Sequence, residues 1–465
     1  MVEKPAEDAG ATSSIMKPGQ LLVGIILNVA CFCASAPAEA QDSTGTAVYK
    51  KRVLESTEVD FLMSYYTQDG NNSAVGGGIG TEELTDLTPT IVVSIPLNDD
   101  DVLTIDAGIS AYTSASSSNI NPFDRDQPAD PGYASSGASS SDVWGGVNVS
   151  YSHSSDDRNS IWSTDLSFSA EYDYISMGFG GSYTRLFNQK NTELSLKGNV
   201  YLDTWSAIYP IELRGYSNPG NNHDHDDHDG IDLNNAPITG NPDYNPISFK
   251  PFESETRNSY SLGLTFSQIL SQRAQALISV DGVLQEGLLS TPYHRIYFAD
   301  VEDSFLENFH LADDVERLPD QRFKIAIGAR LNYYLNERIT LRTYYRYYTD
   351  DWDINAHTVS LSLPIKLSDW FTIYPNYRYY TQTQTKYFAA YNQHLSTEQY
   401  YSSDYDLSGF NAGQYGFGVS YTDIFTKLNL WKLALKSVDL RFNRYERNNG
   451  LTANILSWGF KFVPE

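Results

Sequence analysis

Along most of the chain, apolar and polar residues alternate one for one. Leu103, Ile105, Ala107, Ile109 and Ala111 alternate with Thr104, Asp106, Gly108 and Ser110. Phe323, Ile325, Ile327, Ala329 and Leu331 alternate with Lys324, Ala326, Gly328, Arg330 and Asn332. The same period runs from Ile339 to Tyr347 and from Val438 to Asn443. Successive strand residues point to opposite faces, so this pattern marks strands with one apolar and one polar face. It predicts about sixteen of them, near 53–68, 85–97, 101–115, 140–154, 159–171, 174–187, 191–208, 257–271, 273–289, 322–335, 338–350, 355–367, 370–385, 408–422, 436–447 and 451–462. One stretch breaks the period: Ile424, Leu428, Trp431 and Leu435 share a helical face, which predicts a helix over 424–436.

The connections carry a second pattern. Every second one is tight, at 98–100, 155–158, 188–190, 272, 336–337 and 368–369. The others include the long ones: 69–84, 116–139, 209–256, 290–321 and 386–407. A soluble β-sandwich has no reason to segregate loop lengths, whereas outer-membrane barrels pair short inner turns with long outer loops. The expected fold is therefore all-β, a transmembrane antiparallel up-and-down β-barrel of about sixteen strands. Twelve to sixteen are compatible with the runs; the outer loops are long and the periplasmic turns short. The aromatics agree with this reading. Tyr65-Tyr66, Tyr347-Tyr348, Tyr379-Tyr380 and Tyr400-Tyr401 fall near outer strand ends, and Trp370, Phe371, Trp458 and Phe460 near inner ends. Such rings suit a membrane interface.

Composition removes several alternatives. A formal charge of −26 over 465 residues excludes a nucleic-acid partner, whose phosphates would repel the chain. The mean hydropathy of −0.40 would suggest a soluble protein, but barrel strands hide their apolar residues in alternation. Lys17, the apolar run Leu21 to Leu27 and Ala38-Glu39-Ala40 have the order of a secretory signal, cleaved before Gln41. Acidic residues before Met16 point to Met16 as the true start. The only two cysteines, Cys31 and Cys33, would leave with the signal. The expected organisation is thus a signal peptide over 1–40, a short periplasmic segment over 41–52 and the barrel over 53–465. The expected location is the outer membrane of a Gram-negative bacterium, with outer-membrane lipid and the barrel-assembly machinery as partners. The last strand, Trp458 to Phe462, resembles the terminal assembly signal, although the chain ends in Val463-Pro464-Glu465 rather than an aromatic.

The first hairpin carries a resemblance. Ser64-Tyr65-Tyr66-Thr67-Gln68-Asp69-Gly70-Asn71-Asn72-Ser73-Ala74-Val75, followed by Gly77-Gly78-Ile79-Gly80-Thr81-Glu82, resembles the signature of an uncharacterised family of bacterial outer-membrane β-barrels, a domain of unknown function. Tyr293-His294-Arg295-Ile296-Tyr297-Phe298, Leu318-Pro319-Asp320 and Asp350-Asp351-Trp352 extend the likeness. The resemblance implies the fold and the location but no activity. It also implies the company of flavin-attaching and thioredoxin-like proteins, and hence a periplasmic redox partner.

Candidate chemistry is sparse. His223, Asp224, His225, Asp226 and His228 sit in the longest outer loop; imidazole with carboxylate suits Zn, Cu or Ni, and a weakly bound divalent ion within 221–230 is one reading. A plain solvated acidic loop is the other. No cofactor is otherwise expected. No nucleophile elbow, zincin or phosphate-binding fingerprint is present, so no enzyme is expected. Alternation assigns Asp106, Asp142, Asp165, Glu171, Glu193 and Asp203 to the barrel interior from the third to seventh strands. It assigns Lys324, Arg330, Arg342, Arg346, Lys366 and Arg378 to the interior from the tenth to thirteenth. Opposed acidic and basic walls would set a transverse field; alternatively, the two sets meet as salt bridges and close the lumen. The functional expectation is a channel for small polar solutes or metal ions. The alternative is a non-conducting scaffold for a periplasmic redox partner.

Overall fold

The computed structural model describes residues 51–114, 141–217, 237–430 and 432–464. Sixteen strands form the wall: β1 Glu58–Asp69, β2 Leu84–Pro96, β3 Asp101–Ser114, β4 Ser141–Ser154, β5 Ser160–Ala170, β6 Tyr174–Phe187, β7 Thr192–Trp205 and β8 Thr256–Ser271. They continue as β9 Ala274–Gly287, β10 Gln321–Asn336, β11 Ile339–Asp350, β12 Asn355–Ser362, β13 Phe371–Gln382, β14 Phe410–Thr422, β15 Leu433–Arg447 and β16 Thr452–Pro464. Each strand pairs antiparallel with its neighbours in sequence, and β16 returns to β1 from Phe462↔Val59 to Thr452↔Asp69. Closure leaves no unpaired edge, which hydrocarbon would not tolerate. The barrel of sixteen is thus the observed fold. β12 is interrupted at Leu363-Pro364, where proline has no N–H to give, and resumes as Ile365–Lys366.

Register sorts the two faces. Asp60, Leu62, Ser64 and Tyr66 lie opposite Val92, Thr90, Thr88 and Asp86, while Phe61, Met63 and Tyr65 lie opposite Ile91, Pro89 and Leu87. Carried around the ring, the second face collects Leu166, Phe168, Met177, Phe179, Leu264, Phe266, Phe417 and Leu440, each more than a third exposed. A continuous exposed apolar band of this kind is a hydrocarbon-facing surface. Trp370, Phe371, Tyr421 and Phe425 pack together at its inner rim, with ring centroids 5.3–6.2 Å apart.

The inner turns are fixed by local side-chain acceptors. Asn98 Oδ1 takes the N–H groups of Asp100 and Asp101, and Asn336 Oδ1 those of Arg338 and Ile339. The helix expected over 424–436 is not formed. Asp423 accepts the N–H groups of Lys427 and Leu428, the chain reverses, and Asn429–Leu430 pairs with Leu433 and Ala434 as the tip of a hairpin. An isolated turn-length helix would have had no partner to cover its apolar face, whereas the hairpin extends the ladder of β15.

The packed core lies in the outer loops rather than in the barrel. The largest fully buried side chains are Arg295, Tyr297, Phe298, Phe309, Leu213, Ile296, Leu311, Glu212, Glu316, Val75, Val93 and Val315, of which only Val93 belongs to a barrel strand. A ring of sixteen strands is too wide for its inward side chains to fill. The loop between β1 and β2 meets the loop between β9 and β10 directly: Arg295 Nη1 donates to Val75 O at 3.1 Å. Gly77, at φ +74°, sits so close to the Tyr297 ring that a Cβ there would fall 2.6 Å from it. These hairpins are eight strands apart in a ring of sixteen, so their loops join across the outer mouth. The cap also takes in the helix Ile211–Ser217 and the loop before β14.

Candidate functional site

The inner face of the ring carries two walls of opposite charge. Register continues from Asp60 through Val92 to Asp106, Asn148, Ser167 and Gly178, and from Ser150 to Asp165 and Gly180. Glu193 and Asp203 fall on the same face of β7, through Leu186 and Ser176 of β6. Asp142 holds the matching register position opposite Tyr112, and Glu171 directly follows β5. On the far side, Lys324 and Arg330 of β10 lie opposite Asp350 and Tyr344 of β11. Arg342 and Arg346 lie opposite Ser362 and Thr358, Arg378 opposite Ser360, and Lys366 opposite Thr372.

Further inward charges extend both walls. Glu58, Asp60, Asp86 and Asp281 join the acidic side; Arg322, Arg441, Arg447 and Lys461 join the basic side. For Asp60, Arg441 and Lys461 the signal was present in the sequence, since each stands between apolar neighbours at period two. Few residues break the segregation. Lys197 and Arg257 stand among the acids, and Asp350 and Asp439 among the bases. Both of these acids are held by local arginines: Asp350 by Arg322 at 2.5 Å and Asp439 by Arg441 at 3.8 Å.

Among the described residues, ion pairs join the two walls at one of their two seams. Where β16 joins β1, Lys461 Nζ lies 2.9 Å from Glu58 and 3.6 Å from Asp60, and Lys436 Nζ 2.7 Å from Glu58. Beside this seam is a cavity of about 370 Å³, lined on the inner face by Asp60, Leu62, Thr88, Thr90, Asp439, Arg441 and Lys461. Leu62 is 45% exposed although it points inward, as it can be only where the lumen is open. Elsewhere the alternative of salt-bridge closure is not formed among the described residues. Arg342, Arg346 and Arg378 are exposed and have no ion pair, and Arg330 has only the Tyr344 ring, 5.8 Å away. Asp106, Asp165 and Glu193 have no ion pair either. Unpaired charges of both signs on facing walls persist only in water, because desolvating them would cost far more than their distant attraction returns.

The cap across the mouth is built differently, around buried ion pairs. Arg295 makes a bidentate pair with Glu212, at 2.6 and 3.0 Å, and stacks 4.9 Å over Phe309. Asp314 accepts from Tyr401 Oη at 2.6 Å and from Arg317 at 2.9 Å. His223, Asp224, His225, Asp226 and His228 lie outside the described residues.

The description "Protein of unknown function (DUF3570)" matches residues 27–455. The chain belongs to the DUF3570 family. A comparison with curated protein sequences gave no match. Among solved structures, this DUF3570 chain is similar to a bacterial polysaccharide outer-membrane secretin at 10% identity, with 88% of this chain and 99% of that one covered and a TM-score of 0.41. It is also similar to a Pseudomonas aeruginosa FadL homologue at 10% identity (88% and 91% covered, TM-score 0.38). A third likeness is to the outer-membrane protein opdK of the same organism, at 8% identity (88% and 99% covered, TM-score 0.34). At these identities the likeness concerns the fold.

Proposed function

We propose that this DUF3570 protein is an outer-membrane channel for small polar solutes, which its two charged walls orient and sort. The observation that carries the reading is the run of exposed, unpaired arginines Arg330, Arg342, Arg346 and Arg378 facing a wall of unpaired carboxylates. Facing walls of opposite sign pull the two ends of a dipolar solute apart, and they draw anions and cations along different sides of the lumen. The loop cap over the mouth limits entry to small solutes. Metal ions would travel on the acidic side.

Purified protein reconstituted in planar bilayers tests this reading: discrete conductance steps are expected. A silent bilayer, with protein that keeps the heat-modifiable migration of a folded barrel, would contradict it. Silence would favour the second reading, a scaffold that docks a periplasmic redox partner. One observation supports that alternative. The inner turn after β14 exposes Ile424, Phe425, Leu428 and Leu430, each about half exposed or more, an apolar patch at the periplasmic end.

A further inference from the structure

Three metal-type donors converge where two outer loops meet. His294 and Glu316 come from the two ends of the loop between β9 and β10, and Asp404 from the loop between β13 and β14. One ring nitrogen of His294 and one oxygen from each acid lie within 4.8 Å of one another. Local bonds hold the set in place. The Glu316 N–H donates to His294 O at 2.8 Å, and Glu316 Oε2 accepts the Thr291 N–H at 2.7 Å. The Ser402 hydroxyl donates to Glu316 Oε1 and accepts the Asp404 N–H at 3.1 Å, while Asp404 Oδ1 accepts the Asp406 N–H at 2.8 Å.

The cluster is short of positive charge. His294 Nδ1 is buried without a hydrogen-bond partner; Glu316 Oε1, at 3.8 Å, is too far to be one. No Lys or Arg pairs with Glu316 or Asp404 among the described residues. A buried nitrogen with nothing to bond, beside two carboxylates that no Lys or Arg neutralises among the described residues, is what a divalent ion would complete.

We infer that His294, Glu316 and Asp404 bind a divalent transition ion of the Zn²⁺ type, clasping both ends of one outer loop to the next. Mixed imidazole and carboxylate ligation suits Zn²⁺ and its first-row neighbours, whereas Ca²⁺ seeks six to eight oxygens. Bonds of about 2.0–2.1 Å set tetrahedral ligands roughly 3.4 Å apart, so the donors need close in by no more than about 1.4 Å. Water takes the remaining position. None of these three ligands belongs to the histidine tract at 223–228.

The test titrates Zn²⁺ calorimetrically into the full chain folded in detergent, in an H223A/H225A/H228A background that removes the other tract. One Zn²⁺ per chain is expected there, bound roughly tenfold or more weakly once His294→Ala or Asp404→Asn is added. Either change could also loosen the loops, so X-ray absorption of the loaded background protein supplies a readout independent of them. One imidazole nitrogen with oxygens around the ion is expected. The inference is overturned if the background protein binds no Zn²⁺, if both further variants bind it unchanged, or if two or more imidazoles surround it.

Discussion

Replacing Arg330, Arg342, Arg346 and Arg378 together by Gln is expected to turn the channel towards cations. A monovalent anion passing about 8 Å from one guanidinium in water gains roughly 0.5 kcal/mol. Two or three such groups acting at once give about 1–1.5 kcal/mol, or around tenfold in occupancy. Without them the acidic wall acts unopposed. In a KCl gradient across a bilayer, the reversal potential should move towards the potassium limit, by an amount that shrinks as salt rises and screening shortens the reach of each charge. Neutralising Asp106, Asp165 and Glu193 should move it the other way. Glutamine keeps the size and polarity of the lining and removes only the charge, so the opposed shifts isolate the field. If both sets of variants left the reversal potential where it was, the walls would have no part in conduction.

Arg295→Ala is expected to loosen the cap and leave the barrel intact. The substitution strands the Glu212 carboxylate in a fully buried position and removes the bond to Val75 that ties loops from opposite sides of the ring. Breaking one partner of a buried pair costs about 3–5 kcal/mol, most of it the burden of the abandoned charge. The ladders of the barrel wall do not involve either residue, so heat-modifiable migration should persist. The outer loops should become much more sensitive to limited proteolysis, and single-channel steps larger or noisier. Adding Glu212→Ala should recover part of the loss, because the stranded charge goes with it. Unchanged protease sensitivity in Arg295→Ala would mean that the cap does not depend on this pair.

The barrel was legible because hydrocarbon imposes a rule at every second residue. Phe323 to Leu331 must be apolar outward whatever lies on the other face, and the intervening Lys324 and Arg330 could then only point in. The alternation of tight and long connections came from the same asymmetry between the two sides of the membrane. The misread segment, 424–436, shows the limit of periodicity: four apolar residues at helical spacing describe a face, but the chain extends β15 as a hairpin instead. Whether the walls were bridged or open depends on the width of the ring and on register, neither of which a run of residues contains. The cap was less visible still. His294 and Arg295 could be seen only as part of a family resemblance, because their partners stand far along the chain. Arg295 reaches Glu212 across 83 positions and Val75 across 220. Glu316 and Asp404, which meet His294, carried no spacing that would single them out.

The central claim is that one face of this sheet touches hydrocarbon and the other touches water. Cysteine scanning along β10 tests it most directly, and no cysteine follows Cys33 to interfere. Each position from Phe323 to Leu331 would be replaced singly in protein reconstituted into vesicles and treated with a small charged thiol reagent. The account predicts a period of two: cysteines at 324, 326, 328 and 330 react, and those at 323, 325, 327, 329 and 331 stay protected in the bilayer. Uniform labelling along the strand, or a pattern with a period nearer four, would contradict it.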